Sequence, residues 1–218
     1  MAPCLDAGDP RALTLAAAAL AQGSVVALPT DTVYGLAADP SIPDGVTRLF
    51  DLKDRPSDVP VPVLVGSRLQ VGEVAGPLDA AARRLTERFW PGPLTLVVPR
   101  RSAFVVDLGG PPRACQTVGV RLPDHPLVRA LCDRVGPLAV TSANRHGAPP
   151  ATTAHQVVAA FRGADGLALI IDGGVCDGTP STVVECLGPT VRGLREGAIP
   201  WAEIFRDGAG TPSEDGSR

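Results

Sequence analysis

Short apolar runs recur along this chain, each bounded by Gly or Pro, and they leave it few ways to fold. They occupy positions 24–28, 61–65, 94–98, 118–120, 138–140, 167–171 and 182–184. Runs this short, rich in Val, Leu and Ile and closed by turn formers, read as buried strands. Between and before them, 13–21, 44–52, 78–89, 127–135 and 153–161 carry helical spacing. Strands interleaved with helices predict a single-domain α/β fold. The final connections are too short for strict β-α-β repetition, so a twisted, open, mixed sheet with flanking helices is expected.

With 218 residues, 44% of them hydrophobic, the chain can bury one substantial core. The domain is expected over 12–205, with no internal repeat, and the polar, Gly-containing stretch 207–218 is expected to be a disordered tail. A net charge of −3 disfavours a protein whose main task is coating nucleic acid. No run approaches the roughly 18 apolar residues needed to cross a bilayer. The alanine-rich stretch 13–21 follows acidic residues and no cleavage site follows it, so a cytoplasmic protein without membrane attachment is expected. Cys4, Cys115, Cys132, Cys176 and Cys186 form no C-x-x-C pair, and His125, His146 and His155 lack metal-ligand spacing. A protein-held metal is not expected.

The polar residues that stand out sit at strand ends, where open α/β sheets bind ligands. Thr30, Asp31 and Thr32 follow the run at 24–28, although Asp31 and Thr32 also suit a side-chain-closed turn. Lys53 is the only lysine among 20 basic residues, and Arg55 lies two positions on. An extended backbone there would turn both cations to one side, as a polyphosphate requires, while an exposed charge pair at a helix end fits equally well. Along 117–121 alternation sends Thr117, Gly119 and Arg121 to one face. Arg121 is then poised for a carboxylate or phosphate, or for neighbouring Asp124. Ser142 and Asn144 follow the run at 138–140 and suit phosphate or ribose oxygens, or a helix cap. Ser181 and Thr182 open another run, and Arg195 ends the final strand.

Taken in order, Pro29 to Leu36, Lys53-x-Arg55-Pro56, Trp90-Pro91-Gly92-Pro93-Leu94-Thr95, Val120-Arg121-x-Pro123-x-His125-Pro126, Ser142-Ala143-Asn144, Ser181-Thr182-Val183-Val184 and Leu194-Arg195-x-Gly197 resemble the YrdC-like threonylcarbamoyl-AMP synthase family in its short form. The resemblance implies a deep, basic-lined cavity. It also implies a nucleotidyltransferase reaction in which L-threonine, bicarbonate or CO2 and ATP give threonylcarbamoyl-AMP and pyrophosphate for tRNA modification. By motif, Thr30, Arg121, Val140 and Ser181 would contact L-threonine. Lys53, Arg55, Thr117, Ser142, Asn144, Pro150 and Arg195 would hold ATP, with Lys53 and Arg55 stabilising developing charge and Mg2+ carried by the phosphates. The product would pass to a tRNA threonylcarbamoyl transferase complex, with direct tRNA contact left open. Val59 and Leu64 replace the polar and histidine positions common in the family. The alternative is a non-catalytic nucleotide- or RNA-binding module of the same fold, though 4% aromatic residues offer little stacking surface. No Walker motif is present, and the zinc-finger cysteines of hydrogenase-maturation relatives are missing.

Overall fold

The computed structural model describes residues 2–54, 56–111, 115–206 and 210–212. Arg55 therefore lies outside the described residues. Every apolar run became a strand: β2 (Val25–Leu28), β4 (Val63–Leu64), β5 (Leu94–Pro99), β6 (Thr117–Arg121), β7 (Leu138–Ser142), β8 (Leu167–Asp172) and β9 (Thr182–Cys186). The expected final strand is β10 (Val191–Arg195). Three further strands carry little or no apolar signal: β1 (Cys4–Asp6), β3 (Gly35–Ala38) and β11 (Gly210–Pro212).

The described strands form one mixed sheet, ordered β1-β8-β2-β3-β7-β4-β6-β5-β9-β10-β11. Neighbours such as β2 and β8 or β5 and β9 run parallel, whereas β2 and β3 or β5 and β6 run antiparallel. β11 adds to the edge beside β10, in parallel, so part of the stretch expected to be a disordered tail is a strand. Its backbone can take ladder bonds from an edge whatever its side chains, which is why an apolar count misses it. Residues 207–209 and 213–218 lie outside the described residues.

Both sheet faces are covered, which explains why the strands read as continuous apolar runs. Along β2, Val25 and Ala27 enter one core, and Val26 and Leu28 enter the other. The second core is closed by α1 (Ala12–Ala21) through Ala16 and Leu20, and by α5 (Pro126–Val135) through Val128 and Leu131. The first is closed by α2 (Gly45–Lys53), α4 (Ala80–Phe89) and α6 (Ala154–Ala160). Two short helices, α3 (Arg68–Val74) and α7 (Trp201–Ile204), complete the described elements. Among the described residues no helix is long and apolar enough to cross a membrane.

Helix ends obey local chemistry. Ser67, Asp79 and Thr153 accept backbone N–H bonds at the starts of α3, α4 and α6, and Gln156 completes a capping box with Thr153. Gly35 illustrates a tertiary demand: a Cβ there would lie 2.6 Å from Val140 Cγ1. Only glycine lets β3 approach β7 this closely, and that contact places the β2–β3 connection beside the end of β7.

Candidate functional site

A cavity of about 340 Å³ opens where the ends of β2, β6, β7, β9 and β10 converge. Thr30, Thr117, Arg121, Val140, Ser142, Pro150, Ser181 and Arg195, all singled out in the sequence, contribute to its wall. They come from segments far apart in the chain. On β6, Thr117, Gly119 and Arg121 line the cavity together with Val118, whereas Val120 belongs to the core alone. A Cβ on Gly119 would lie 3.1 Å from Pro62 Cβ, so the bare backbone here gives room to the opposite wall.

Among the described residues the wall is mixed rather than basic. Val59, Pro60, Val61, Pro62, Val97 and Leu108 supply an apolar side, and Arg121 and Arg195 are the cations among its described lining residues. Val59 and Leu64 both belong to this wall, so the positions that depart from the family's polar pattern face the cavity.

Arg121 is the best-defined cation of the site. Its Nε donates to the Gly92 carbonyl at 3.0 Å, Nη1 to Thr32 Oγ1 at 3.0 Å and Nη2 to Asp31 Oδ1 at 2.5 Å. Its ionic partner is thus Asp31, not adjacent Asp124. A guanidinium carries five N–H groups in a planar fork. Three are engaged, leaving one on each terminal nitrogen. Two such donors match a carboxylate. The Trp-Pro-Gly-Pro segment contributes here too: buried Trp90 donates from Nε1 to the Leu94 carbonyl at 2.7 Å, bracing the turn that presents Gly92.

The threonine hydroxyls form a directed chain. Thr30 Oγ1 donates to the Val33 carbonyl at 2.7 Å, and a hydroxyl has one proton. The 3.0 Å contact between the two hydroxyls must therefore run from Thr32 to Thr30, leaving Thr32 Oγ1 to accept from Arg121. Thr30 Oγ1 also accepts the Thr32 backbone N–H at 3.1 Å. Its hydroxyl is fully engaged, so Thr30 offers a ligand its methyl group and shape.

On the opposite wall, Ser181 Oγ lies 2.9 Å from Thr95 Oγ1, and Arg195 Nη2 donates to the Ser181 carbonyl at 2.8 Å. Thr182 points away. Its hydroxyl is buried, donates to the Ile199 carbonyl at 2.6 Å and accepts the Gly197 N–H at 3.0 Å, stapling the loop after β10.

Lys53 and Asn144 stand behind the wall rather than in it. Lys53 is 2% exposed and is the last residue of α2, followed by Asp54 in the left-handed region, so the extended backbone expected at 53 and 54 is not found. Its ammonium donates to the carbonyls of Ser142 and Asn144, the latter at 2.8 Å, and to Asn144 Oδ1 at 3.3 Å. The Lys53 carbonyl accepts His146 N–H at 3.0 Å, and Arg145 pairs with Asp54 at 2.6 Å. Asn144 Nδ2 in turn donates to the Ala148 carbonyl at 2.7 Å. The end of α2 therefore holds the loop after β7, and the buried acceptors that draw the ammonium inward explain why the helix continues to Lys53.

From the sequence, Asp31 suits either a strand-end ligand site or a side-chain-closed turn, and His125 has no assigned role. Burial depresses the His125 pKa, opposed by the charges of Asp31 and Asp124. Tyr34, unremarked in the sequence, donates from its hydroxyl to the Gly174 carbonyl at 2.8 Å and accepts Gly173 N–H at 3.1 Å. Burial raises its pKa to about 12, which keeps it a neutral tether for the loop leading to Ser181. A strand-end tyrosine followed by glycine was the available signal. Among the described residues no group of three or more His, Cys, Asp or Glu side chains could hold a metal ion.

Residues 18–197 match the family model for Sua5, YciO and YrdC proteins, described as telomere recombination. The chain belongs to the Sua5/YciO/YrdC family. A Bacillus subtilis (strain 168) member named threonylcarbamoyl-AMP synthase is 39% identical over 205 residues, 92% of this chain and 57% of that protein. A Mycobacterium tuberculosis member, provisionally given the same name, is 39% identical over 209 residues, covering 94% of both chains. Among solved structures, Pyrococcus abyssi Sua5 complexed with L-threonine superposes with a TM-score of 0.87 at 34% identity, over 100% of this chain and 66% of that one. Escherichia coli YciO superposes with a TM-score of 0.79 at 22% identity, over 94% of this chain and 100% of that one, and shows the shared fold. The chain thus spans little more than half of the B. subtilis family member and nearly all of the mycobacterial one.

Proposed function

We infer that this chain is an L-threonylcarbamoyladenylate synthase, a nucleotidyltransferase that converts L-threonine, bicarbonate or CO2 and ATP to threonylcarbamoyl-AMP and pyrophosphate. The observation that carries this reading is the pair of unengaged N–H groups on Arg121 at a cavity wall shared with Ser142, Ser181 and Arg195. Membership of a family whose named relatives are synthases, and likeness to a relative complexed with L-threonine, support it.

The threonine carboxylate would lie on the Arg121 fork, with the Thr30 methyl, the Val140 backbone and Ser181 shaping the space around its side chain. The threonine nitrogen, having lost its ammonium proton, attacks CO2 and gives up a second proton to become a carbamate. If bicarbonate is the source, it first takes up a proton and loses water to give CO2. A carbamate oxygen then attacks the α-phosphorus, the bond to the bridging oxygen breaks, and pyrophosphate leaves. Thr117, Ser142, Pro150 and Arg195 form the nucleotide side, with Asn144 behind them fixing the turn that presents Ser142, and donors there stabilise charge on the phosphates as it grows. Lys53 contributes by bracing the Ser142–Asn144 turn, and Arg55 supplies a second cation two positions on in the sequence. Mg2+ carried by the phosphates would neutralise charge on pyrophosphate. Holding two anions in line is the chain's main contribution. The product is a reactive mixed anhydride, which suits handover to a tRNA threonylcarbamoyl transferase complex.

Pyrophosphate release by purified protein tests the reading, with ATP, Mg2+, bicarbonate and L-threonine omitted in turn and L-serine substituted. Release that needs both threonine and bicarbonate is expected. Protein that binds ATP and L-threonine yet releases no pyrophosphate would instead be a binding module of the same fold.

A further inference from the structure

Among the described residues two buried polar atoms have no hydrogen-bond partner: Asp31 Oδ2, on the carboxylate that pairs with Arg121, and His125 Nδ1. Buried polar atoms are almost always satisfied, and each one left alone costs about 1–3 kcal/mol. They belong to the same corner of the site. Asp31 Oδ1 is bonded to Arg121 Nη2, with the two side chains only 13% and 7% exposed, and His125 follows Arg121 by four residues on the turn into α5. The Asp31 charge also acts on the imidazole. An acceptor-only carboxylate oxygen and an imidazole nitrogen able to carry a proton are complementary. Arg121, already bonded to Asp31, and solvent-exposed Asp124 are the other charged groups flanking this turn.

The geometry points to Asp31 and His125 as a positioning pair for Arg121. Nδ1–H of His125 donates to Asp31 Oδ2 across one buried water, and locks the carboxylate so that Oδ1 orients the guanidinium. This deepens the synthase reading and rests on it. Neither side chain is among the described cavity-lining residues, so neither is a catalytic residue. Their effect passes through Arg121: with Nη2 held by Asp31 and Nη1 by Thr32, the two remaining N–H groups keep one direction, and a substrate carboxylate meets a fork already in place. The tautomer follows as well, with the proton on Nδ1 and Nε2 left as acceptor.

The test uses the full chain and four variants, Asp31→Asn, His125→Ala, His125→Asn and His125→Gln, with KM for L-threonine and for ATP measured by pyrophosphate release and L-threonine binding by calorimetry. An asparagine amide can stand where Nδ1–H stood, whereas glutamine reaches toward the Nε2 position. Asp31→Asn and His125→Ala are expected to raise the L-threonine KM and Kd about tenfold, one charge-assisted bond's worth, with ATP KM within about twofold. His125→Asn should restore threonine affinity to within about threefold, and His125→Gln should not. The proposal is overturned if His125→Ala leaves threonine affinity unchanged, or if both KM values and the melting temperature move together with no rescue by asparagine. The His125 series decides the matter even if Asp31→Asn fails to fold. Wild-type protein that neither binds nor turns over L-threonine overturns the synthase reading and this one with it. Threonine-dependent turnover with unshifted variants overturns this one alone.

Discussion

Two cations named by the sequence, Arg121 and Lys53, end in opposite situations. Arg121 engages three protein acceptors and, where it lines the cavity, still has two N–H groups to spare, because its planar fork carries five donors. Lys53 points a compact ammonium at three acceptors on Ser142 and Asn144 and lies behind the wall. The difference is one of donor geometry rather than charge. A planar fork can brace and bind together, while an ammonium bound on three sides braces only.

The largest effect that would break this comparison is expected from Arg121→Lys. A lysine cannot replace the Gly92, Thr32 and Asp31 bonds and also present two parallel donors. Loss of about 3 kcal/mol is expected, a fall of about a hundredfold in kcat/KM for L-threonine measured by pyrophosphate release. A variant within threefold of wild type would show that the fork is not the carboxylate anchor. Lys53→Met should act differently. Removing the ammonium leaves carbonyls of Ser142 and Asn144 buried without a donor, at a cost of about 1–3 kcal/mol in urea unfolding. Faster amide exchange at Asn144 and His146 and a raised ATP KM should accompany it, with threonine KM little changed. An unchanged exchange pattern would remove the bracing role.

Gly35→Ala sharpens the picture at the junction between the two regions. The new Cβ meets Val140 Cγ1 at 2.6 Å, so overpacking of about 1–3 kcal/mol is expected in the same unfolding assay. Val140→Ala in the same chain should return part of it. The smallest effect is a pH dependence. Burial lowers the folded-state pKa of His125 below its ordinary value of 6.5, so the unfolded chain binds the proton more readily. Stability from this group is present above pH 6.5 and falls as the pH drops through the folded value. His125→Asn should flatten that limb of a plot of melting temperature against pH, and an unaltered limb would place its origin elsewhere.

Much of the site was legible because strand ends carry it. Thr117 and Arg121 on β6 reached the cavity wall, as did Ser142, Ser181 and Thr30 from strand-end positions. What failed were partners. Asp124 stood nearest to Arg121 in sequence, yet the bond went to Asp31, and Lys53, expected to face phosphates or to sit exposed at a helix end, is a buried helix end. β3 escaped notice because Gly-Leu-Ala-Ala has no β-branched residue, and its place depends on glycine meeting Val140.

The sequence by itself determined the layered α/β architecture, the strands with strong apolar runs and most of the cavity's polar residues. Burial on two faces imposes a periodicity that each segment carries locally. Only the tertiary structure decided which carboxylate holds Arg121, that Thr30 has no hydroxyl proton to offer, and that Lys53 braces rather than lines the wall. A buried polar group takes its partner from whatever the fold brings within about 3 Å, and that distance bears no relation to separation along the chain.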